Sequence, residues 1–201
     1  MDPLLLILSS PSGAGKTTLT HRLLRDFDKA IGFSVSHTTR KPRPNEVDGQ
    51  DYHFVDEAEF RERVDRGDFA EWAAVHSNLY GTAVSEITRA REAGKMALLF
   101  DVDYQGARQI RAKFPEAIGV FILPPSMEEL RRRLESRGTE SKEILDLRFA
   151  KAKIEIEHYP FFDYLVVNDD LQQALNELTG IVRAEMCRRT RLAPRAESLL
   201  G

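Results

Sequence analysis

The chain predicts an α/β fold built on a parallel sheet with helices on both faces. Four short apolar runs, at 4–9, 96–102, 118–123 and 164–168, have the length of buried strands. Helical patterns separate them, and strands that alternate with helices imply parallel crossover connections. The first run ends in Ser10-Pro11-Ser12-Gly13-Ala14-Gly15-Lys16-Thr17 and passes straight into an amphipathic stretch beginning at Leu19. That order is strand, glycine turn, helix. At 201 residues the chain suits one core, with room for inserted subdomains.

The elements follow in order. Residues 16–27 predict the first helix. Residues 33–83 break the rhythm: Phe33-Ser34-Val35-Ser36 and Tyr52-His53-Phe54-Val55 alternate as strands do, with turn residues at Pro42-Arg43-Pro44-Asn45 and Asp48-Gly49 between them. This segment predicts a small, mostly antiparallel insertion with one short helix at 57–66. Further helices are expected at 84–93, 105–113, 127–137, 142–158 and 171–188. Ser126-Met127-Glu128-Glu129 has the pattern of a capping box, and Asn168-Asp169-Asp170 is a helix start signal. Residues 126–150 are helical, rich in arginine and interrupted by Gly138-Thr139, as in a mobile flap. The polar tail from 189 to 201, with Pro194, is expected to be frayed. The chain thus divides into a core at 1–32, 84–125 and 151–188, an insertion at 33–83, a lid at 126–150 and a tail at 189–201.

Apolar residues make up 42 % of the chain, enough for a core, and 30 % are charged, so the surface is well solvated. The net charge of −3 gives no argument for nucleic acid or an anionic membrane as partner. The single cysteine, Cys187, excludes a disulfide framework and a cysteine metal site, and fits a reducing, cytoplasmic setting. No basic leader precedes the first strand, and no apolar run reaches the ~20 residues of a membrane span.

Several groups of residues carry chemistry. Backbone amides at a glycine turn and a helix N-terminus cradle phosphate; Lys16 adds a charge for the outer phosphates and Thr17 a hydroxyl for Mg²⁺. Ser10 stands where the first glycine of this loop pattern is usual. Leu98-Leu99-Phe100-Asp101-Val102-Asp103 places acids at a strand's C-terminal edge, where ligands of parallel sheets gather. Asp101 there either holds Mg²⁺ or its water shell or caps the next helix; Asp101 and Asp103 share a face if the strand continues. Arg40 and Arg43 flank a proline turn and either converge on one phosphate, with Tyr52 and Tyr80 as phenolic donors, or form a solvated basic loop. Arg131, Arg132, Arg133, Arg137 and Arg148 lie in the flap. Arg133 and Arg137 share a helix face and suit charge stabilisation on closure, whereas Arg131 and Arg132 suit pairing with Glu128, Glu129, Glu135 and Glu140. His21, His37, His53, His76 and His158 lack metal-ligand spacing and are expected in solvated or hydrogen-bonded surface positions. No Ser-His-Asp arrangement is present in the pattern.

Taken together, these segments resemble the guanylate kinases, in order from about residue 4 to 178. The likeness includes Ser-Gly-Ala-Gly-Lys-Thr at 12–17, Phe33-Ser-Val-Ser-His-Thr-Thr-Arg40, Pro42-Arg43, Glu46-Val-Asp-Gly49, Asp51-Tyr-His-Phe54 and Phe69-Ala-Glu71-Trp72. It continues through Tyr80-Gly-Thr82, Asp101-Val-Asp103-Tyr-Gln-Gly106, Pro124-Pro125-Ser126, Arg137-Gly-Thr-Glu140 and Val167-Asn-Asp-Asp170. The resemblance implies a P-loop nucleoside monophosphate kinase-like core with a small GMP-binding insertion and a helical lid, with ATP and GMP (and dGMP) as substrates and Mg²⁺ as cofactor. It implies that Ser36, Glu71 and Thr82 read guanine, and that Arg40, Arg43, Tyr52 and Tyr80 clamp the GMP phosphate. A carboxylate suits guanine because it accepts from both N1–H and N2–H, a pair adenine lacks. Asp101 and Asp103 match acidic positions near substrate and magnesium. Ser12, Gly13, Ala14, Gly15, Lys16, Thr17 and Thr18 match the ATP loop, and Asn168 aligns at the adenine end. Arg133, Arg137 and Arg148 match arginines that close over ATP. The rival readings are a catalytically inactive binding module of the same fold, a P-loop kinase for another small phosphorylated acceptor, and a nucleotide-driven switch.

Overall fold

A computed structural model describes residues 2–75, 77–136 and 141–201. They form two compact units, one within residues 1–9 and 29–119 and the other within 10–28 and 120–201.

The first unit holds two sheets. Strands β1 (Leu4–Ser9), β2 (Ile31–Phe33) and β7 (Ala97–Asp101) are parallel, with β7 between the other two; Leu4 pairs with Ala97 and Ile31 with Ala97 on the opposite edge. Every residue of β1 is buried, which explains its unbroken apolar run: a strand covered on both faces has no polar side. Helices α3 (Ser85–Glu92) and α4 (Tyr104–Lys113) flank these strands. The second sheet has the order β4 (His53–Phe54), β3 (His37–Thr38), β6 (Asn78–Ala83), β5 (Phe69–Val75). Its β3–β4 ladder is parallel and the other two are antiparallel. Helix α2 (Glu57–Asp65) closes one face, stacking Phe60 on Phe69 with ring centroids 4.5 Å apart. Val55, Val64 and Leu79 complete this small core.

The structure moves two predicted boundaries here. The alternation at 33–36 is not an insertion strand. Phe33 ends β2, a core strand absent from the apolar runs because it is only three residues long, and the Ser34 amide extends that ladder to the Leu99 carbonyl at 3.0 Å. The Val35 amide then donates to the buried Glu86 carboxylate at 2.8 Å, so the insertion sheet begins only at His37.

The second unit pairs β8 (Ile118–Leu123) in parallel with β9 (Tyr164–Val167), in register from Val120↔Tyr164 to Leu123↔Val167. Helix α1 (Lys16–Asp26) buries Leu19 and Leu23 and packs on α7 (Leu171–Met186), whose buried stripe is Ala174, Leu175, Leu178 and Val182. Helices α5 (Met127–Glu135) and α6 (Lys142–Ile156) share a satellite core of Leu130, Leu134 and Ala152. The predicted start signals are real caps: Ser126 Oγ accepts from Glu129 N at 3.1 Å, and Asp170 Oδ1 from Gln173 N at 2.7 Å. The helix expected at 142–158 is α6, which ends at Ile156 and is followed by a short 3-10 turn at Tyr159–Phe161. The segment expected to fray carries helix α8 (Arg189–Glu197), with Pro194 inside it and no residue buried.

His37 departs from its expected surface role. It is 6 % exposed, lies against His53 (ring centroids 4.6 Å) and edge-on to Phe69, and its Nδ1 has no hydrogen-bond partner. Burial, then the His53 charge, pushes its pKa down to about 4. The imidazole is therefore neutral in the folded protein but protonates from about 6.5 downward once unfolded. Its contribution is full above pH 6.5 and is lost as pH falls towards 4. Thermal melting across that window is expected to show a steeper fall for the native chain than for His37→Phe; parallel curves would contradict the assignment.

Candidate functional site: a phosphate loop and an acceptor pocket

The loop between β1 and α1 belongs to the second unit from Ser10 onward. Gly13 (φ +92°) and Gly15 (φ +96°) both occupy left-handed backbone that a side chain disfavours. Gly15 is also the N-cap of α1, so no side-chain oxygen caps that helix, and its first turn carries no acid. The α1 N-terminus therefore presents amides and a partial positive charge to an anion. Ser10 needs no glycine, since its φ is not positive, and the loss of the usual glycine costs no backbone strain.

The loop is held from outside. Asn168 is buried; its Nδ2 donates to the Ala14 carbonyl at 2.7 Å, and a Cβ on Gly15 would lie 2.3 Å from that same nitrogen. The Asn168 carbonyl accepts from Arg133 Nη2 at 2.9 Å, and its backbone N–H donates to the Leu123 carbonyl at 2.8 Å. Leu130 and Leu134 close against Gly13, each 3.0 Å from the Cβ that a larger residue would place there. On the α6 side, Ser12 N donates to Glu155 Oε2 at 3.1 Å and Arg148 Nη2 donates to Ser12 Oγ at 2.6 Å. A cavity of about 330 Å³ opens beside the loop, lined by Gly13, Gly15, Thr18, Arg133, Asn168 and Leu171 among others. Lys16 is the first residue of α1, with Thr17 and Thr18 exposed in the same turn.

Arg131 pairs with Glu135 (3.1 Å) and Asp146 (2.9 Å), and Arg132 with Glu129 (2.7 Å). Arg133 shares Glu129 at 2.7 Å, and these two arginines hold the Glu129 carboxyl down to about 2, the bond from Arg132 foremost. Arg137 and Glu140 lie outside the described residues.

The second constellation lies in the first unit, on the β4-β3-β6-β5 sheet. Glu71 and Thr82 face each other across β5–β6, and Thr82 bonds the Glu71 carboxylate. Thr82 Oγ1 lies 2.9 Å from Ser36 Oγ, which joins all three predicted base-reading residues in one hydrogen-bonded set. Glu71 is 7 % exposed; burial, with the nearby Asp103 charge as a smaller push, raises its pKa to about 7 despite the Thr82 bond. Gly106 makes room for it, since a Cβ there would meet Glu71 Oε2 at 3.0 Å. Helix α4 also holds the neighbouring backbone: Gln109 accepts from Trp72 N at 3.0 Å and donates to Trp72 O at 2.9 Å.

Arg40, Tyr52 and Tyr80 come together. The Arg40 guanidinium lies 5.4 Å from the Tyr52 ring centroid, the two tyrosine rings are 6.0 Å apart, and Tyr80 is hydrogen-bonded to Arg40. The sequence reading missed Glu46, which organises this group. Its Oε1 accepts from Arg40 Nη2 at 2.8 Å and its Oε2 from the Arg43 amide at 2.7 Å. Those bonds hold the Glu46 carboxyl below the usual range. The proline turn thus has a specific carboxylate to close it, while residues 41–45, Arg43 among them, remain exposed. The sequence signal was there, an acid three residues after Arg43, but only the turn shows what it does.

Asp101 and Asp103 separate in role. Strand β7 ends at Asp101, so the two do not continue one strand face. Asp103 is the N-cap of α4, accepting from Gln105 N and Gly106 N at 3.0 Å each. The helix cap that the sequence assigned as an alternative for Asp101 belongs to Asp103. Asp101 remains half-buried at the strand's C-terminal end.

The family model described as guanylate kinase matches residues 3–185. A guanylate kinase of Dechloromonas aromatica is 52 % identical over 180 residues, covering 90 % of this chain and 88 % of that one. One from Myxococcus xanthus is 51 % identical over 190 residues, covering 94 % and 90 %. The crystal structure of guanylate kinase from Anaplasma phagocytophilum superposes with a TM-score of 0.74 at 34 % identity, covering 94 % of this chain and 89 % of that one.

Gly15→Ala places a methyl in left-handed backbone and against Asn168. It is expected to cost about 2 kcal/mol or more in urea unfolding, and an unchanged midpoint would show that the loop relaxes freely.

Proposed function

Because the chain belongs to the guanylate kinase family, we propose that it transfers the γ-phosphoryl group of ATP to GMP, giving ADP and GDP, with dGMP as a further acceptor. The bond between the γ-phosphorus and the β,γ-bridging oxygen breaks, and a bond to a GMP phosphate oxygen forms in line with it. The acceptor is already an anionic oxygen, so no strong general base is required, and catalysis consists of positioning and charge stabilisation.

Residues 36–83 form the acceptor part. Glu71, Ser36 and Thr82 read guanine, and Arg40, Arg43, Tyr52 and Tyr80 hold its phosphate. The observation that carries this reading is the buried Glu71 carboxylate bonded to Thr82, which is bonded in turn to Ser36. A desolvated carboxylate discriminates strongly for a partner with two adjacent N–H donors, because any other base leaves it unpaired. Glu46 holds Arg40 in place until an acceptor phosphate competes for its guanidinium.

The donor part is Ser12 to Thr18, with Lys16 on the outer phosphates and Asn168 at the adenine end. Arg133 and Arg148 offset charge on the transferring group, as does Arg137. Mg²⁺ would neutralise the charge on the β- and γ-phosphate oxygens. The donor types suit it, each within its own unit: Thr17 has an exposed hydroxyl on an uncapped helix turn, and Asp101 a carboxylate at a strand end. Among the described residues no group of three or more His, Cys, Asp or Glu could hold an ion. No described helix is long and apolar enough to cross a membrane.

Coupled ADP release with ATP, Mg²⁺ and a panel of monophosphates tests the reading. Turnover with GMP and little with AMP, CMP or UMP is expected; a folded protein without GMP turnover overturns it. Glu71→Gln is expected to lower kcat/KM for GMP about 100-fold, since two charge-assisted bonds are lost. Guanine binding needs the ionised carboxylate, whose pKa is about 7. KM for GMP should therefore fall as pH rises through 7 and level off above it, and Glu71→Gln should abolish that inflection.

A further inference from the structure

Glu155 takes no part in the reactions described, yet it is 7 % exposed. Its position two turns after Arg148 on α6 puts both side chains on one face of that helix. That face grips a single residue of the phosphate loop. Glu155 Oε2 accepts from the Ser12 backbone amide at 3.1 Å, and Arg148 Nη2 donates to the Ser12 hydroxyl at 2.6 Å. The other Glu155 oxygen lies 3.6 Å from Lys151 one turn earlier.

A buried carboxylate is costly unless its bonds serve a purpose, and an apolar residue would pack as well at this position. The purpose is legible in the direction of the Ser12 amide. Ser12 precedes the α1 N-terminus, whose first turn no side chain caps, and its own amide donates to Glu155 on α6. Glu155 does not line the cavity that Gly13, Gly15 and Asn168 open into. The carboxylate therefore sits behind the loop and does not compete with phosphate for it.

We propose that Glu155 is a positioning residue for phosphoryl transfer: it anchors the Ser12 amide from behind, fixing where the phosphate loop begins and keeping the α6 face that bears Arg148 against it. This rests on the kinase reading for its catalytic consequence, though not for its effect on nucleotide affinity. Amides that receive a triphosphate must already be in place, since reorganisation during transfer forfeits their benefit. One carboxylate setting both the loop and the arginine-bearing helix satisfies that requirement for two catalytic groups together.

Three proteins decide it: the native chain, Glu155→Gln, which keeps an acceptor oxygen for the Ser12 amide, and Glu155→Ala, which removes it. ATP affinity is measured by calorimetry without acceptor, and KM for ATP, KM for GMP and kcat by coupled ADP release. Glu155→Ala is expected to weaken ATP binding about tenfold and lower kcat, with KM for GMP unchanged within about twofold; Glu155→Gln is expected to stay within about threefold of the native affinity. Loss of melting temperature with native ATP affinity and kcat would make Glu155 merely structural and overturn the proposal. Equal impairment in Gln and Ala would also overturn it, by placing the effect in charge or packing rather than in the amide bond. If the alanine variant does not fold, Glu155→Met fills the same space without an acceptor and takes its place. A native chain that binds ATP but leaves GMP unphosphorylated would overturn the kinase reading alone, and the calorimetric comparison would still decide Glu155.

Discussion

The phosphate loop has a turn bond of its own, from the Ala14 amide to the Pro11 carbonyl, and depends on its neighbours for the rest. Its two reversals, at Gly13 and Gly15, rely on left-handed backbone that the residues themselves do not enforce. Outside groups supply the constraint. The Asn168 amide pins the Ala14 carbonyl and leaves no room for a side chain at 15; Leu130 and Leu134 close on Gly13; Glu155 and Arg148 hold Ser12. These braces come from β9's end, α5 and α6, so the second unit is organised around keeping one short stretch of peptide amides in position. The amides can then meet an anion without rearranging.

Carboxylates do the corresponding work in the acceptor sheet, in two opposite ways. Glu46 is half-buried and takes bonds from Arg40 and the Arg43 amide, which lower its pKa and give the basic loop a defined turn. Glu71 is buried, short of donors, and has its pKa raised by desolvation. In the function proposed above, the first holds positive charge for a phosphate and the second meets a base that brings two N–H groups. Gly106 and Gln109 on α4 keep Glu71 and the adjacent Trp72 backbone where they are.

Much of this was legible in the chain. The strands at 4–9 and 118–123 have the bounds their apolar runs predict, because a strand buried on both faces writes its whole length in hydrophobic residues. Ser126 and Asp170 cap the helices they announce, since a cap is a local bond. Three-residue β2 was missed: a strand that short has no period to read. Helix α8 was missed because no apolar stripe marks a helix with no buried face. His37 was read as a surface residue, because its burial depends on His53 and Phe69, strands distant in sequence.

The sequence by itself determined the α/β class and the glycine turn before α1, which are properties of residue type and short spacing; the proposed guanine-reading and phosphate-clamping residues come instead from the likeness to a family. Only the tertiary structure decided what the carboxylates do. Asp103 caps a helix while Asp101 ends a strand, Glu46 closes the arginine turn, Glu71 is desolvated, and Glu155 stands behind the loop. A carboxylate's role depends on its solvent exposure and on which donors reach it. Apart from the helix cap and the arginine turn, those donors come from residues far along the chain, and folding alone brings them within hydrogen-bond distance.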